Sequence, residues 1–195
     1  MALTRMTARQ RREQVLAVAE REFAATGLHG TSAETIARRA GITQAYVFRI
    51  FGSKKRLFLE VVDAAFARMT IAMTAAAGGL EGIEALSAMG AEYDAMLADR
   101  TTLLLQLQGL AASGDSEIQA AVRDSYGRLW QAVAATAQLD PVTIKAFLAF
   151  GALLNTSAAL DLADHDTDWS RQARTRIRAA LFTHITTATN TDEHP

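Results

Sequence analysis

The sequence predicts an all-α fold, and three observations support that prediction. The 195 residues contain only two prolines, Pro141 and Pro195, and half of the residues are apolar. Alanine, leucine, glutamate, glutamine and arginine, which favour helices, are frequent. Apolar residues recur at helical spacing, and no strand is predicted. The length suits one or two small domains and is sufficient to bury a core.

The stretch 31–53 predicts two short helices joined by a tight turn. Thr31 and Glu34 have the spacing of a capping box, which would start the first helix at Thr31. Gly41 ends this helix, since a glycine often follows a helix in a left-handed conformation. The predicted buried face of the first helix consists of Ile36, Ala37 and Ala40.

The second helix of this pair is capped by Thr43, and its apolar face consists of Val47, Ile50 and Phe51. The spacing of a small residue at 37, a glycine at 41 and a β-branched residue at 47 allows two helices to cross closely at a steep angle, as in a helix-turn-helix. An ordinary helical hairpin is the alternative. It requires neither this spacing nor a basic exposed face.

Charge is distributed unevenly along the chain. Residues 1–56 contain eleven Lys or Arg and four acids, a net charge of +7, while residues 57–195 contain nine basic and seventeen acidic residues, a net charge of −8. A basic segment of this kind indicates a polyanionic partner. The chain therefore combines a basic head with an acidic remainder.

The first helix is predicted over about Thr7 to Thr26. Thr7 and Gln10 again have capping-box spacing, and Gly27 closes the helix. Its apolar stripe consists of Val15, Leu16, Ala19 and Phe23. The basic residues at the entrance are either a frayed terminus or an arm that reaches DNA phosphates or the minor groove. These residues are Arg5, Arg9, Arg11 and Arg12.

A long helix is predicted over about 54–76, with Ser53 as its cap. Its packed side consists of Leu57, Phe58, Val61, Val62, Ala65, Phe66 and Met69. Lys54, Lys55 and Arg56 fall in its first turn, where the helix dipole prefers acids. A nearby phosphate would remove this conflict and accept the free backbone amides.

Residues 9–57 resemble the DNA-binding domain of the tetracycline-repressor (TetR) family of bacterial transcription regulators. The matching run is VLAVAEREFAATGLHGTSAETIARRAGITQAYVFRIFGSKKRLF. The resemblance implies phosphate contacts from Thr31 and Ser32 and base-edge contacts from Gln44, Ala45 and Tyr46. Phe48 and Arg49 match a tyrosine and histidine pair that commonly bonds phosphates, and Lys54 matches a phosphate-contacting lysine. The predicted DNA-binding residues are Thr31, Ser32, Thr43, Gln44, Ala45, Tyr46, Phe48, Arg49 and Lys54.

The chemistry of three of these residues suits base recognition without reference to the family. Gln44 can pair with adenine through two hydrogen bonds, and Arg49 can instead reach a guanine. Tyr46 offers a ring to a thymine methyl group, or covers the apolar seam of the helix pair. Three residues depart from the family pattern: Phe48 lacks a hydroxyl, Ile50 replaces a frequent tyrosine and Gly52 replaces a frequent proline.

The rest of the chain is predicted to be regulatory. We place the helix-turn-helix DNA-binding domain at 1–53 and a helical ligand-binding and dimerisation domain at 54–195. Helices are predicted over about 83–98, 102–112, 115–138, 141–162 and 169–187. Asp140 followed by Pro141 is a strong helix-start signal.

Two further sets of residues are assigned within this regulatory part. The last two helices resemble those that form a four-helix dimer interface in the family, although these faces pack inside the monomer in the alternative interpretation. The predicted dimerisation residues are Phe147, Phe150, Leu154, Ala158, Ile177, Leu181 and Ile185. A small hydrophobic ligand would be bound by large, adaptable side chains, which otherwise form ordinary core. These residues are Met69, Met73, Met89, Tyr93, Met96, Leu104, Leu107, Gln108, Tyr126, Trp130 and Asn155.

Other functional classes find little support in the sequence. There is no cysteine, the four histidines are scattered, and no catalytic constellation or cofactor motif is apparent. The acidic run from Asp161 to Asp168 lacks a recognised metal spacing and is read as a solvated turn. No signal peptide is predicted, because Glu20, Arg21 and Glu22 interrupt the apolar stretch that follows the basic start. No membrane span is predicted, because the longest uncharged run, 146–160, is too short. We expect a cytoplasmic protein without cofactor, metal or enzymatic activity.

Together these observations predict a ligand-responsive transcriptional regulator. A homodimer would bind a palindromic DNA operator, and a small hydrophobic ligand would release it. Repression is the family's usual mode. The alternative is a helical scaffold or small-molecule carrier whose head does not bind DNA, and Phe48 and Ile50 are its best support.

Overall fold

The computed structural model describes residues 6–175, and its helices confirm the all-α prediction. In this part of the chain the helices are α1 (Ala8–Gly30), α2 (Ala33–Arg39), α3 (Gln44–Phe51), α4 (Lys54–Ala77), α5 (Gly82–Met96), α6 (Arg100–Ala111), α7 (Ser116–Ala137), α8 (Pro141–Ala159) and α9 (Asp168–Ala173). The predicted helix over 169–187 begins at Asp168, and Ile177, Leu181 and Ile185 lie outside the described residues.

The chain divides into two compact units. In the first unit the described residues extend to Arg68 and resume at Asp99–Tyr126, so that α6 joins α1, α2, α3 and the start of α4. Among the described residues, the second unit contains Met69–Ala98 and 127–175. The domain boundary between residues 53 and 54 stays a prediction.

The core of the first unit is formed by the apolar faces that the helical spacing predicts. The rings of Phe23 in α1 and Phe58 in α4 meet edge to face, with centroids 5.2 Å apart. Ile36 of α2 and Val47 of α3 are also fully buried. The predicted packed side of α4, from Leu57 to Met69, is buried throughout. Burial of the apolar faces of α2 and α3 fixes these two short helices to α1 and α4.

The end of α1 bends at Gly27. This residue has φ +66° and ψ −175°, so the regular helix stops at Thr26, as the sequence predicts, and one further turn follows before Thr31. The side chain of Gln108 in α6 lies directly against Gly27, in space that a Cβ atom would occupy. Gly109 makes a similarly close approach to Val62 of α4. Two glycines therefore allow α6 to pack closely against the head.

In the second unit α5 and α8 pack together through small residues. Gly151 of α8 lies against the ring of Tyr93, and Gly90 of α5 lies against the ring of Phe147. The Tyr93 hydroxyl hydrogen-bonds to Asn155 Oδ1 across the pair. These contacts explain why part of the α8 face predicted for dimerisation is half-buried inside the monomer.

Helix ends agree with the predicted ranges to within a few residues. Asp140 caps α8 through the backbone N–H groups of Val142 and Thr143, as predicted. The predicted start of α6 at 102 is wrong by two residues, because Asp99 caps the helix by accepting from Thr101 N. α8 ends at Ala159 and not at 162, and Asp161 adopts φ +54° in the turn that follows.

Candidate nucleic-acid interface

The cap of α2 differs from the prediction. Ser32, not Thr31, is the N-cap, and its Oγ accepts from Thr35 N at 3.0 Å. The Thr31 hydroxyl is buried and donates to the carbonyl oxygen of Glu22 at 3.1 Å, while its oxygen lies 2.7 Å from Thr26 Oγ1. The predicted capping box between Thr31 and Glu34 is therefore wrong, because the bend at Gly27 turns Thr31 back toward α1.

Thr31 joins two helices of the head in this arrangement. The Nζ atom of Lys54, at the start of α4, donates to the carbonyl oxygen of Thr31 at 2.8 Å. An ammonium group has three N–H donors. Two donors therefore remain, so this bond does not use up the donors that the phosphate contact predicted for Lys54 requires.

We expect Thr31→Val to lower the free energy of unfolding by about 1–3 kcal/mol, because the substitution removes a buried hydroxyl and leaves its partners short of a hydrogen bond. Urea denaturation followed by circular dichroism measures this loss. Thr156→Val is the matched control, since the exposed Thr156 hydroxyl bonds only to Ala152 O of its own helix. Equal stability of the two variants would contradict the structural role of Thr31.

α3 is the helix that the sequence predicts to contact DNA bases. Thr43 caps it, as predicted, by accepting from Tyr46 N at 3.2 Å. Val47 and Phe51 are buried against the head, and Ile50 is half-buried. Among the other side chains of α3, the exposed ones are Gln44, Ala45, Phe48 and Arg49.

Tyr46 and Arg49 form a stacked pair on this surface. The guanidinium carbon of Arg49 lies 4.4 Å from the centre of the Tyr46 ring. A guanidinium over an aromatic face is held by attraction to the π electrons. The stack explains why Tyr46 is only half-exposed, and it restricts the directions in which Arg49 can reach.

The positive charges of the head fall into two groups. One group is paired with acids: Arg9 with Glu13, Arg12 with Glu60, Arg39 with Glu22, and Lys55 with Asp115 and Glu117. In the other group no carboxylate lies within ion-pair distance among the described residues. This group consists of Arg11, Arg21, Arg38, Arg49, Lys54 and Arg56. The surface charge left for a polyanion is therefore concentrated on a subset of the basic residues.

Lys55 connects the first turn of α4 to the start of α7. Its Nζ lies 2.6 Å from Glu117 Oε2 and 3.1 Å from Asp115 Oδ2, and these contacts raise the pKa of Lys55. The bond from Lys55, aided by Ile118 N–H, lowers the pKa of the Asp115 carboxyl. A carboxyl with a lowered pKa stabilises the fold above its usual pKa of about 4, and this stabilisation is lost as the pH falls through the lowered value.

The residues predicted to bind a ligand are divided between the two units. Met69, Met73, Met89 and Tyr93 are buried in the second unit, to which Met96, Trp130 and Asn155 also belong. Leu104, Leu107, Gln108 and Tyr126 belong to the first unit. Gln108 lies against Gly27 of the head, so its observed surroundings are those of a packing residue.

The acidic run after α8 contains carboxylates that pair with an arginine. No group of three metal-ligating side chains occurs anywhere between residues 6 and 175. Within the run, Arg171 pairs with both Asp166 and Asp168. The carboxylates of these two residues are thus engaged by a cation of the protein.

Two contacts of the head were not foreseen in the sequence. Glu22 is buried and pairs with Arg39 of α2, seventeen residues away. Gln108 fills the space beside Gly27 from α6. For the Glu22–Arg39 pair, the only indication in the sequence was an acid within an otherwise apolar helical face. For the contact between Gln108 and Gly27, the sequence contained no indication.

Residues 15–61 match the family described as bacterial regulatory proteins, tetR family. The matched segment contains most of α1, the α2–α3 pair and the first part of α4, which confirms the family resemblance of this segment. A comparison with curated protein sequences found no match.

Solved structures share the fold over most of the chain. A TetR-like transcriptional regulator from Rhodococcus sp. RHA1 has a TM-score of 0.65 at 21% identity, covering 91% of this chain and 94% of that one. The TetR family regulator PfmR from Thermus thermophilus has a TM-score of 0.62 at 20% identity, with 88% and 96% covered. A TetR family regulator from Marinobacter aquaeolei VT8 has a TM-score of 0.62 at 18% identity, with 84% and 91% covered.

Proposed function

We infer that this chain belongs to the TetR family and is a DNA-binding transcriptional regulator. The observation that carries the inference is the match of residues 15–61 to the tetR family, centred on a helix pair whose second member leaves one face exposed. Six basic residues without a carboxylate partner in the described part of the chain give the head its free positive charge. Enzymatic chemistry forms no part of this proposal.

The exposed face of α3 is suited to the major groove. We assign base contacts to Gln44, Ala45 and Tyr46, since an amide and a phenol offer the donors and acceptors that base edges require. We assign contacts along the DNA backbone to Ser32, Thr43, Phe48 and Lys54. Thr31 contributes by fixing Lys54 and the start of α2, because its own hydroxyl is engaged inside the head.

We further propose that the protein acts as a homodimer on a palindromic operator. Support comes from α8, in which only 22% of the most apolar 18-residue window is buried. Leu153 and Leu160 are 48% and 61% exposed. Two copies that pair about a twofold axis would cover this surface and hold two recognition helices about 34–36 Å apart, one turn of DNA. By length and composition alone α8 could also cross a membrane, and a dimer interface helix meets the same criterion.

We expect Leu153→Glu to weaken the dimer by at least tenfold, because a carboxylate would have to lose its hydration inside an apolar interface. Sedimentation equilibrium at micromolar concentration measures the change in association. Leu110→Glu is the matched control: Leu110 is 52% exposed but lies in the first unit, on α6. A monomeric wild-type protein, or equal association of both variants, would refute the assignment of α8.

A small hydrophobic ligand is the proposed signal for release of DNA. The support is chemical: Met69, Met73 and Met89 are flexible apolar side chains within one unit, and the Tyr93–Asn155 hydrogen bond supplies polar groups in the same unit. A ligand shifts an equilibrium only by its differential affinity for two states. The ligand would therefore bind more tightly to the form in which the spacing of the two heads does not fit the operator. The proposed mode of regulation is repression of transcription, which the ligand relieves.

The proposed function is tested by selecting duplexes from a random DNA pool with the purified protein at fixed moderate salt. We expect a twofold palindrome whose half-sites are one turn apart. If no preferred sequence is recovered, and the weak binding disappears as the salt concentration rises, the protein binds DNA through charge alone and does not recognise bases. That result would refute the regulator and favour a helical carrier or scaffold, the alternative that Phe48 and Ile50 support.

A further inference from the structure

Two consecutive lysines begin α4, and their charges have different surroundings. The Nζ atom of Lys54 donates to a neutral group, the carbonyl oxygen of Thr31. The Nζ atom of Lys55 lies between two carboxylates, 2.6 Å from Glu117 Oε2 and 3.1 Å from Asp115 Oδ2. One of these adjacent charges is therefore open to an anion, whereas the other is already met by two acids from the start of α7.

The acids outnumber the lysine that they contact. One cation and two carboxylates give this cluster of Lys55, Asp115 and Glu117 a net charge of −1. The cluster adjoins Lys54, to which we assigned a contact with the DNA backbone. Charges on a protein surface act over about 8–10 Å at ordinary salt concentrations. A polyanion that approaches the start of α4 would thus meet a negative cluster in place of a second free lysine.

The start of α7 holds one of the acids in place. Asp115 Oδ1 accepts from Glu117 N at 3.0 Å and from Ile118 N at 3.2 Å, so the Asp115 carboxylate is positioned by its own helix. Hydrogen bonds to Glu117 and Asp115 raise the pKa of Lys55, which keeps the lysine charged. All of these residues belong to the first compact unit.

Stability alone gives little reason for two acids around one lysine. The side chains of Lys55, Asp115 and Glu117 are 36%, 43% and 55% exposed. Ion pairs at such exposure contribute little to the free energy of unfolding. Their effect on the potential that an approaching polyanion meets does not require burial. The contact is therefore better suited to adjusting the binding of a polyanion than to holding the fold together.

We propose that Asp115 and Glu117 form an autoinhibitory contact, which withholds the charge of Lys55 and weakens the binding of the head to every duplex. The proposal rests on the proposed function, because the polyanion concerned is DNA. The contact recognises no base, so it lowers affinity without changing the preferred sequence. It gives two adjacent lysines different roles: Lys54 is open to DNA, and Lys55 is held by the protein's own acids.

The first test measures the affinity of the full-length protein for the selected duplex over a range of salt concentrations. The variant combines Asp115→Asn with Glu117→Gln, and asparagine caps a helix as well as aspartate does. We expect this variant to bind about fivefold more tightly, because removing the acids makes Lys55 available. The slope of log affinity against log salt should become steeper by about 0.9, the contribution of one further cation.

The matched control makes the same two substitutions in a protein that also carries Lys55→Gln. Without the lysine we expect the acid substitutions to change affinity by less than about twofold and to leave the salt slope unchanged. Asp124→Asn is a second control, since it removes an exposed acid of the same helix and unit. We expect it to change affinity by no more than about 1.5-fold.

The second test examines the contact in solution without DNA. The chain has three lysines, Lys54, Lys55 and Lys145, so NMR of protein labelled with ¹³C-lysine can follow each side chain through a pH titration. We expect the pKa of Lys55 to lie above that of an ordinary lysine in the wild type and to fall in the variant that lacks both acids. An unchanged midpoint of urea denaturation would show that the variant keeps its fold.

The outcomes separate this proposal from the proposed function. If the wild type selects an operator and removal of the acids tightens binding equally with and without Lys55, the acids act through space and the withheld lysine is refuted. Weaker binding after removal of the acids would mean that the contact supports the head, and would overturn the inhibition. A Lys55 pKa that is equal in both proteins would show that the contact does not form. Failure of the wild type to select any duplex would overturn the regulator itself.

Discussion

Replacing Gly27 with alanine is expected to lower the free energy of unfolding by about 1–3 kcal/mol, because φ and ψ at this residue lie in a region that essentially only glycine adopts. The observed values are +66° and −175°. An added Cβ would also overlap Gln108 Oε1, so the amide of Gln108 would have to move. The measurement is urea denaturation monitored by circular dichroism.

The variants around Gly27 separate backbone strain from crowding. Gly27→Ala combined with Gln108→Ala removes the crowding but keeps the strain, so we expect most of the loss to remain. Gly114→Ala is the control glycine, since nothing lies within 4 Å of its Cβ position and its φ is not positive. We expect it to change stability by less than about 0.5 kcal/mol. Full rescue by Gln108→Ala would show that strain at Gly27 is unimportant.

The helical faces of the head could be predicted from the sequence, since burial follows the helical period. The buried residues of α2, the packed side of α4 and the cap of α3 by Thr43 all lie where that spacing predicts. Such features depend on residues within one or two turns of each other. Local spacing is what a sequence displays directly.

The errors occur where distant residues decide the local structure. Thr31 and Ser32 are adjacent hydroxyl residues, and each has a plausible partner three positions later. The carbonyl of Glu22, nine residues away in the chain, engages Thr31 and leaves Ser32 as the cap. The pairing of Arg39 with Glu22 likewise depends on tertiary packing, which no local spacing encodes.

Phe58→Ala should have the largest effect on the head, with a loss of about 3–5 kcal/mol in the free energy of unfolding. The Phe58 side chain is fully buried and packs edge to face on Phe23, so truncation removes apolar burial, leaves a cavity and deletes an aromatic pair. A loss of this size is a third or more of the total stability of many domains, about 5–15 kcal/mol.

The measurement for Phe58→Ala uses two signals that report different parts of the chain. Circular dichroism follows all helices, whereas fluorescence follows Trp130 and Trp169, which both belong to the second unit. For Phe58→Ala we expect the circular dichroism signal to fall earlier in the denaturation than it does for the wild type. If the first unit unfolds separately, this fall in circular dichroism precedes the change in fluorescence. Phe48→Ala is the matched control, because Phe48 is 39% exposed on the recognition face. It should leave stability within about 0.5 kcal/mol of the wild type, since a half-solvated ring on the surface buries little on folding. A comparable loss in both variants would mean that Phe48 is a packing residue and would remove it from the DNA-facing surface.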